Sequence, residues 1–293
     1  VKMKSINIFC FGFGQVAKSF VKKLIIENYN VILTTTSRSN SSKKNFNGIN
    51  YNSYLFNSYK YDSDLLRELK AADHILVSIP PEKQEDLVIK NFSKYMEDSK
   101  IKWITYLSAT SVYGDHKGEW VSENSETKPT LPNGIARLKV ENLWLSLQMK
   151  KKLSIQIFRL SGIYSNEKNI LVRLKLGTAK LINKNDHYFS RIHVEDIANI
   201  LFKSLSKFKT GEIYNIADDK PSSLDEITLH AARLLDIKDL KKIEVNEIEN
   251  EMVKNFYKDS KKVSNKKTKS YFSYNLKFPT YVEGLNYIRD NFI

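Results

Sequence analysis

The stretch SINIFCFGFGQVA, residues 5–17, decides the fold of this chain. An apolar run with β-branched and aromatic residues ends at Phe11, and a loop with two glycines follows at once. Gly12 permits a tight turn, and Gly14 lets backbone N–H groups approach a pyrophosphate. Ala17 is small enough for the following helix to lie close to the strand. The stretch therefore predicts a dinucleotide-binding turn between a strand and a helix.

A glycine pattern of this kind is weak evidence for a dinucleotide site on its own, since glycines also serve ordinary strand-to-helix turns. The position of the pattern strengthens the prediction, because it lies at the first of several strand-to-helix junctions. The residues of this loop that we expect to contact the cofactor are Gly12, Phe13, Gly14, Gln15, Val16 and Ala17.

Strand-like and helix-like segments alternate along the chain. The strand-like runs cover 5–11, 30–35, 74–79, 102–107, 154–160 and 211–216. The helix-like patterns cover 16–27, 63–70, 83–97, 137–150 and 194–206. Apolar strands separated by helical periods predict a parallel sheet covered by helices, and right-handed crossovers make it doubly wound. We expect an α/β fold of Rossmann type, with a smaller C-terminal lobe for the substrate.

The expected domain division falls near residue 160. Residues 1–160 form the nucleotide-binding domain and 161–293 the smaller lobe, with 190–217 returning to the sheet. A polar cap at Ser223 predicts that a helix begins there. The charged, aromatic-poor segment 245–269 is expected to be exposed.

Composition and charge limit the class of protein. The 293 residues are 41% hydrophobic, which is typical of a folded globule, and no apolar run is long enough to cross a bilayer. The net charge is +14, but the lysines are spread evenly and no aromatic residues interleave with them, so we expect no nucleic-acid partner. Cys10 is the only cysteine, which excludes an intrachain disulfide. We expect a cytoplasmic protein without a membrane partner or signal peptide, and an anionic small-molecule substrate; the oligomeric state is left open.

Two later segments carry a family resemblance. An apolar run ending at Leu107 opens into SATSVYG, residues 108–114, and a helix-like segment GIARLKVENLW follows at 134–144. Together they resemble the extended short-chain dehydrogenase/reductase family, the group of nucleotide-sugar epimerases and dehydratases. The sequences around Tyr214, Arg191 and Pro279 resemble the same family, so the resemblance runs nearly from end to end.

The resemblance also implies that the usual catalytic triad is changed. In the family the strand end reads Ser-Ser-x-x-Val-Tyr-Gly and the helix reads Tyr-x-x-x-Lys-x-x-x-Glu. Alignment on Gly114 and Glu141 puts Ala109 at the catalytic Ser/Thr, Asn133 at the Tyr and Arg137 at the Lys. Because neither Ala109 nor Asn133 can transfer a proton, the ordinary mechanism is not expected. Arg137 keeps the positive charge and can hold a ribose or a phosphate.

Other groups after the same strand could replace the lost base. A literal Tyr-x-x-x-Lys stands at Tyr113 and Lys117, but it lies in a glycine loop rather than on a helix, and we interpret it as a coincidence. The segment from Tyr113 onward is similar to a branch of atypical short-chain proteins in which Arg-Leu-x-x-Glu replaces Tyr-x-x-x-Lys. The candidate catalytic residues are Thr110, Ser111, Tyr113, His116 and Arg137.

The end of the second strand bears on the choice of cofactor. It lacks the acid that would bind an adenosine 2′-hydroxyl, and Arg38 could pair with a 2′-phosphate. This favours NADP, with NAD possible. Further expected contacts are Ser37, Ser78, Ile79, Pro80, Ser108 and Leu160.

Two functions stay open at this point. The first is an atypical oxidoreductase or epimerase that acts on a nucleotide-sugar-like anion with a non-standard base. The second is a non-catalytic sensor or regulatory protein that binds a nicotinamide dinucleotide. No cluster of His, Cys and carboxylates has metal-ligand spacing, so we expect no metal.

Overall fold

The computed structural model describes residues 2–97 and 100–293, and an eight-stranded sheet dominates the fold. The strands of this sheet are β1 (Ser5–Phe11), β2 (Asn30–Ser37), β3 (Ser42–Phe46), β4 (Ile49–Leu55), β5 (His74–Val77), β6 (Trp103–Ala109), β8 (Ile155–Leu160) and β11 (Ile213–Ile216). Two short pairs of strands lie outside it, namely β7 (Trp120–Val121) with β12 (Lys262–Val263), and β9 (Gly162–Tyr164) with β10 (Arg191–His193).

Ten α-helices connect these strands in the described residues. They are α1 (Gln15–Ile26), α2 (Leu65–Ala71), α3 (Leu87–Met96), α4 (Pro132–Lys151), α5 (Ile170–Lys175), α6 (Val194–Ser204), α7 (Leu224–Leu234), α8 (Glu251–Phe256), α9 (Lys266–Phe272) and α10 (Tyr281–Phe292). Each helix in this part of the chain is too short or too polar to span a membrane.

The order of strands confirms the predicted fold class. The sheet runs β11-β8-β6-β5-β1-β2-β4-β3, and β1 pairs in parallel with both β2 and β5. The chain builds outward from β1 first on one side and then on the other, which makes the gap between β1 and β5 the switch point of a doubly wound sheet. Ligands of such sheets bind at the carboxyl ends of the strands at this point.

The chain folds into two compact units. The first contains Val1–Ala109, Ile135–Arg159 and Ile197–Ile213, and the second contains Thr110–Gly134, Leu160–Asp196 and Tyr214–Ile293. Large buried aromatic side chains, among them Phe11, Phe92 and Trp144, form the core of the first unit against its sheet. The core of the second unit lies between α5, α7 and α10.

The helix predicted to begin with a polar cap at Ser223 is confirmed, and the last helix of the chain is capped as well. The Ser223 hydroxyl accepts a hydrogen bond from the N–H of Glu226 at 3.1 Å and caps α7. Thr280 and Glu283 form a reciprocal capping box at the start of α10. Each cap satisfies backbone N–H groups that the helix itself leaves unpaired.

Two expectations about secondary structure are wrong. β3 and β4, an antiparallel hairpin at the edge of the sheet, were not predicted. The segment 245–269 was expected to be exposed, whereas Val263 and Thr268 are each 1% exposed. The backbone of β12 pairs with β7, and this pairing brings Val263 into the interior despite the charged residues around it.

Candidate active site

The glycine turn after β1 has the backbone that its sequence predicts. Gly12 has φ +85°, and a Cβ there would lie 2.9 Å from the hydroxyl oxygen of Ser78. Both the conformation and the space therefore favour glycine. The N–H of Gly12 donates to the Thr36 hydroxyl at 2.9 Å, which fixes the turn against the end of β2.

The start of α1 is open. Gly14 is the N-cap, no side chain caps the helix, and the first turn contains no acidic residue. A Cβ on Gly14 would meet no atom of the protein within 4 Å. The first N–H groups of a helix have no partner within it, so the turn offers Gln15, Val16 and Ala17 to an anion at the positive end of the helix dipole.

The second cofactor segment lies after β5, beside this turn. The Ser78 N–H and hydroxyl both donate to the carbonyl of Phe11, at 3.1 and 3.0 Å. Ile79 is half-buried and Pro80 is exposed. The fold thus brings the predicted segments after β1 and β5 together at the switch point.

The end of β2 lies beside the same turn, because β1 and β2 are parallel and in register from Ser5 to Cys10. Ser37 is half-buried and Arg38 is exposed. Among residues 2–97 and 100–293, no acidic side chain pairs with Arg38. Its guanidinium is therefore available to an anion at this edge of the sheet.

Arg137 reaches the carboxyl end of β6 from the first turns of α4. Its Nη1 donates to the Tyr106 hydroxyl at 3.1 Å and to the Leu107 carbonyl at 3.0 Å. Burial raises the pKa of Tyr106, so this phenol is neutral and accepts the bond. Within the described residues the Nη2 of Arg137 has no hydrogen-bond partner. One edge of its guanidinium group is therefore available to a ligand.

A buried ion pair lies deeper below the same strand end. Arg159 donates to the carboxylate of Glu141 from Nη2 at 2.8 Å and from Nε at 3.1 Å, and Ser108 donates to it at 2.5 Å. Glu141 is 1% exposed and Arg159 is 4% exposed. Arg159 therefore balances the charge of Glu141. The Ser108 hydroxyl is also occupied, while its role as a cofactor contact stays a prediction.

The loop after β6 belongs to the second unit, and its polar groups bind mainly to other residues of that unit. The Tyr113 hydroxyl is buried and donates to Oδ1 of Asn215 at 2.6 Å. His116 Nε2 lies 3.0 Å from the Tyr113 carbonyl and 3.1 Å from the Glu126 carbonyl. Because both partners are acceptors, we assign the proton to Nε2. Nδ1 of His116 then carries a lone pair, and no described residue donates to it.

The remaining candidates differ in accessibility. Thr110 and Ser111 are half-buried in a 3-10 helix, Thr110–Tyr113. A Cβ on Gly134 would lie 2.5 Å from the Ser111 carbonyl oxygen, so this glycine lets α4 begin close to the loop. Leu160 is buried at the end of β8, and Asn133 is exposed.

Two buried polar residues, one on β10 and one in the first turn of α6, bind to neighbouring loops. His193 Nε2 lies 3.0 Å from Oδ1 of Asn166, and Asp196 accepts from the N–H groups of Lys277 and Phe278 at 2.7 and 3.0 Å. Both side chains fix neighbouring loops. Arg191 lies on the same strand as His193 and has no role that was predicted from the sequence.

Comparisons with known proteins agree with this geometry. Residues 87–217 match the family model described as "NAD dependent epimerase/dehydratase family". A conserved protein of unknown function from Silicibacter pomeroyi DSS is 28% identical, with a TM-score of 0.85 over 99% of each chain. No curated protein sequence matches the chain.

Two characterised structures share the fold at lower identity. The dTDP-glucose 4,6-dehydratase from Bacillus anthracis str. Ames in complex with NAD is 18% identical, with a TM-score of 0.76 over 99% of this chain and 96% of that one. UDP-glucose 4-epimerase from Thermotoga maritima with UDP-glucose is 14% identical, with a TM-score of 0.76 over 99% and 98%. Residues 87–217 thus match the model of the NAD-dependent epimerase/dehydratase family, and the chain as a whole shares the fold of these dehydratase and epimerase structures.

Proposed function

We propose that this protein is an NADP-dependent oxidoreductase or epimerase that acts on a nucleotide-sugar-like or other small organic anion. The observation that carries this proposal is the open turn at residues 12–17, which stands at the switch point of the sheet with free N–H groups and no acid in the first turn of α1. Related folds hold NAD, as in the Bacillus anthracis dehydratase.

The residues of the first unit fit a bound dinucleotide. The N–H groups at the start of α1 would hold the pyrophosphate, and Ser78 and Ile79 would line the adenosine side. Arg38 would pair with a 2′-phosphate, which is the reason to prefer NADP over NAD. The free edge of Arg137 would hold the nicotinamide ribose. When bound, the cofactor accepts or gives up a hydride.

We assign the proton transfer of the reaction to a residue of the loop 110–116. Asn133 carries no proton to transfer at neutral pH, and Ala109 has no polar atom. Thr110 and Ser111 have hydroxyls that can orient a substrate oxygen. Of the two titratable candidates, His116 has a free Nδ1 lone pair, while the Tyr113 hydroxyl already donates to Asn215. His116 is therefore the preferred base, and Tyr113 the alternative.

A screen of nucleotide sugars and other organic phosphates would test this assignment, with the absorbance of the reduced nicotinamide and product chromatography as readouts. Chromatography is needed because an epimerase regenerates its cofactor and leaves the absorbance unchanged. Turnover by the wild-type protein that is lost on Gly14→Val supports the proposal. Tight cofactor binding without turnover of any candidate contradicts the enzyme assignment.

A second function is a non-catalytic protein that senses the nicotinamide pool. The observation that favours it is the pair Ala109 and Asn133, which supply no proton-transfer group at the positions where the resembled family has Ser and Tyr. This function requires that NADP and NADPH change the protein differently. Comparing the proteolysis patterns of the two complexes would reveal such a change.

A further inference from the structure

The hairpin of β3 and β4 packs on the glycine turn through aromatic side chains. The ring of Phe13, which stands between the two glycines of the turn, contacts one ring from each strand. Its centroid lies 5.3 Å from that of Phe46 on β3, in an edge-to-face arrangement, and 5.5 Å from that of Tyr51 on β4. All three residues belong to the first compact unit, and we call them the Phe13 cluster.

The strand register puts Phe46 and Tyr51 on the same face of the hairpin. Tyr51 lies opposite Lys44, two places before Phe46 along β3. Directly paired side chains point to one face, and residues two apart along a strand do the same. Asn47 and Gly48, which join the strands, both have positive φ, and a turn of this kind fixes the register. The pairing of the hairpin therefore presents both rings to the glycine turn.

β3 gains an apolar contact from this arrangement. It is an edge strand of the sheet and lies next to β4. None of its five residues is buried, and Phe46 is its only apolar residue. Since a two-stranded hairpin is at best marginally stable on its own, a polar strand of this kind needs contacts outside the hairpin. The ring of Phe46 supplies such a contact through Phe13.

The glycine turn gains from the same contact. Glycines lose more conformational freedom on ordering than other residues, so a turn with Gly12 and Gly14 is costly to fix. The Lys18 N–H donates to the Gly14 carbonyl at 3.0 Å, and Nζ of Lys18 lies 5.8 Å from the centre of the Phe13 ring. A held Phe13 ring therefore restricts both glycines. A turn that is already in its binding conformation needs less ordering when a ligand arrives.

We propose that Phe46 and Tyr51 are positioning residues for the cofactor, which hold residues 12–17 in their binding conformation through the ring of Phe13. The inference rests on the proposed function in taking a nicotinamide dinucleotide as the ligand of this turn. It makes docking of the hairpin and binding of the cofactor depend on each other, because the coupling between two equilibria is reciprocal.

Calorimetric titration of the full chain with NADP tests the role of Phe46. Phe46→Ala should weaken binding by about fivefold, in line with the strength of one aromatic pair. Phe46→Tyr keeps the ring and should bind as the wild type does. Phe46→Leu keeps apolar bulk without the ring, so it should fold and bind with an intermediate affinity. Adding Phe46→Ala to Phe13→Ala should weaken binding no further, because the ring through which Phe46 acts is then already gone.

Phe202→Ala is the matched control. Phe202 also lies in the first unit, contacts Tyr29 edge to face at 5.8 Å and has Nζ of Lys23 5.3 Å from its ring. Tyr29 directly precedes β2, so this pair lies at the amino ends of the parallel strands β1 and β2, away from the glycine turn. Phe202→Ala should lower the melting temperature as Phe46→Ala does, but leave the affinity for NADP unchanged.

Hydrogen exchange gives a readout that does not require the cofactor. The Gly12 N–H donates to the Thr36 hydroxyl, and it should exchange faster in Phe46→Ala than in the wild type or in Phe202→Ala. Addition of NADP should slow the exchange of the β3 amides in the wild-type protein and have little effect on them in Phe46→Ala. A residue that only stabilised the hairpin would not produce this dependence on NADP.

The inference is wrong if folded Phe46→Ala and Phe46→Leu bind NADP as tightly as the wild type, or if Phe202→Ala loses as much affinity as Phe46→Ala. It is also wrong if exchange at Gly12 is the same in Phe46→Ala and the wild type. Binding of neither NADP nor NAD to the wild-type protein contradicts the proposed function instead. Faster exchange at Gly12 in Phe46→Ala would then still show that the hairpin holds the turn.

Discussion

The chain leaves the sheet through a short glycine-containing segment both after β1 and after β6. The two segments differ in how many of their polar groups are hydrogen-bonded within the protein. Residues 12–17 use one N–H to bind Thr36 and leave the start of α1 without a cap. In residues 110–116, the Tyr113 hydroxyl and the His116 ring bind groups of the protein itself. Residues 12–17 thus keep N–H donors for an anion, whereas residues 110–116 bind their side chains within the protein and keep the Nδ1 lone pair of His116 as an acceptor.

The largest effect is expected from Gly14→Val. The added side chain meets no atom of the protein, so the fold should tolerate it, but it occupies the approach of a pyrophosphate to the start of α1. We expect binding of NADP to be abolished in a titration while the melting temperature without ligand is nearly unchanged. Gly12→Val is the matched contrast, because it also clashes with Ser78 and should lower the stability. Normal NADP binding by Gly14→Val would contradict the assignment of this turn as the pyrophosphate site.

Substitutions in the loop 110–116 are expected to have the next largest effect. If the protein turns over a substrate, His116→Ala should lower kcat by about 10²–10⁴, the usual cost of losing a general base. Tyr113→Phe shows the same loss if the phenol is the base instead. Asn133→Ala is the control and should be nearly silent. Loss of activity in Asn133→Ala alone would contradict the alignment of α4 with the family's helix.

Glu141→Gln tests the stabilising network near β6. Removing the charge leaves Arg159 buried without its carboxylate, which typically costs about 3 kcal/mol. Urea unfolding should show this loss in the free energy of unfolding, and a double-mutant cycle with Arg159→Met should recover part of it. A loss below about 1 kcal/mol would mean that the pair is solvated rather than buried.

The smallest effect concerns the choice between cofactors. Arg38→Gln removes the only charge that we assign to a 2′-phosphate, and we expect NADP to bind about tenfold more weakly, in line with one charged hydrogen bond. Affinity for NAD should not change, and it serves as the internal control. An equal loss for both cofactors would show that Arg38 supports the fold of the turn instead.

Local sequence predicted the features that depend on local physics. The strand β1, the tight turn at Gly12 and the cap at Ser223 each follow from a few neighbouring residues. The hairpin of β3 and β4 was missed because its strands are polar, although Asn47-Gly48 between them has positive φ at both residues and is the usual signal for such a turn.

The groups of the second unit could not be placed from sequence. Arg191 and Asp218 are distant in the chain, and only folding buries both of them and brings the Asp218 N–H to the Arg191 carbonyl at 2.7 Å. Arg159 and Glu141 show the same limit, since the residues around each of them in the sequence do not indicate that the two form a buried ion pair. Sequence gives the type of a polar residue, while its partner decides whether it is free to act.

The most direct test of the central claim is a calorimetric titration of the wild-type protein with NADP and with NAD. The account predicts that one molecule binds per chain and that NADP binds more tightly than NAD, with the affinity lost in Gly14→Val. Binding of neither cofactor at millimolar concentration would contradict it, because the open turn at residues 12–17 would then have no ligand of the predicted kind.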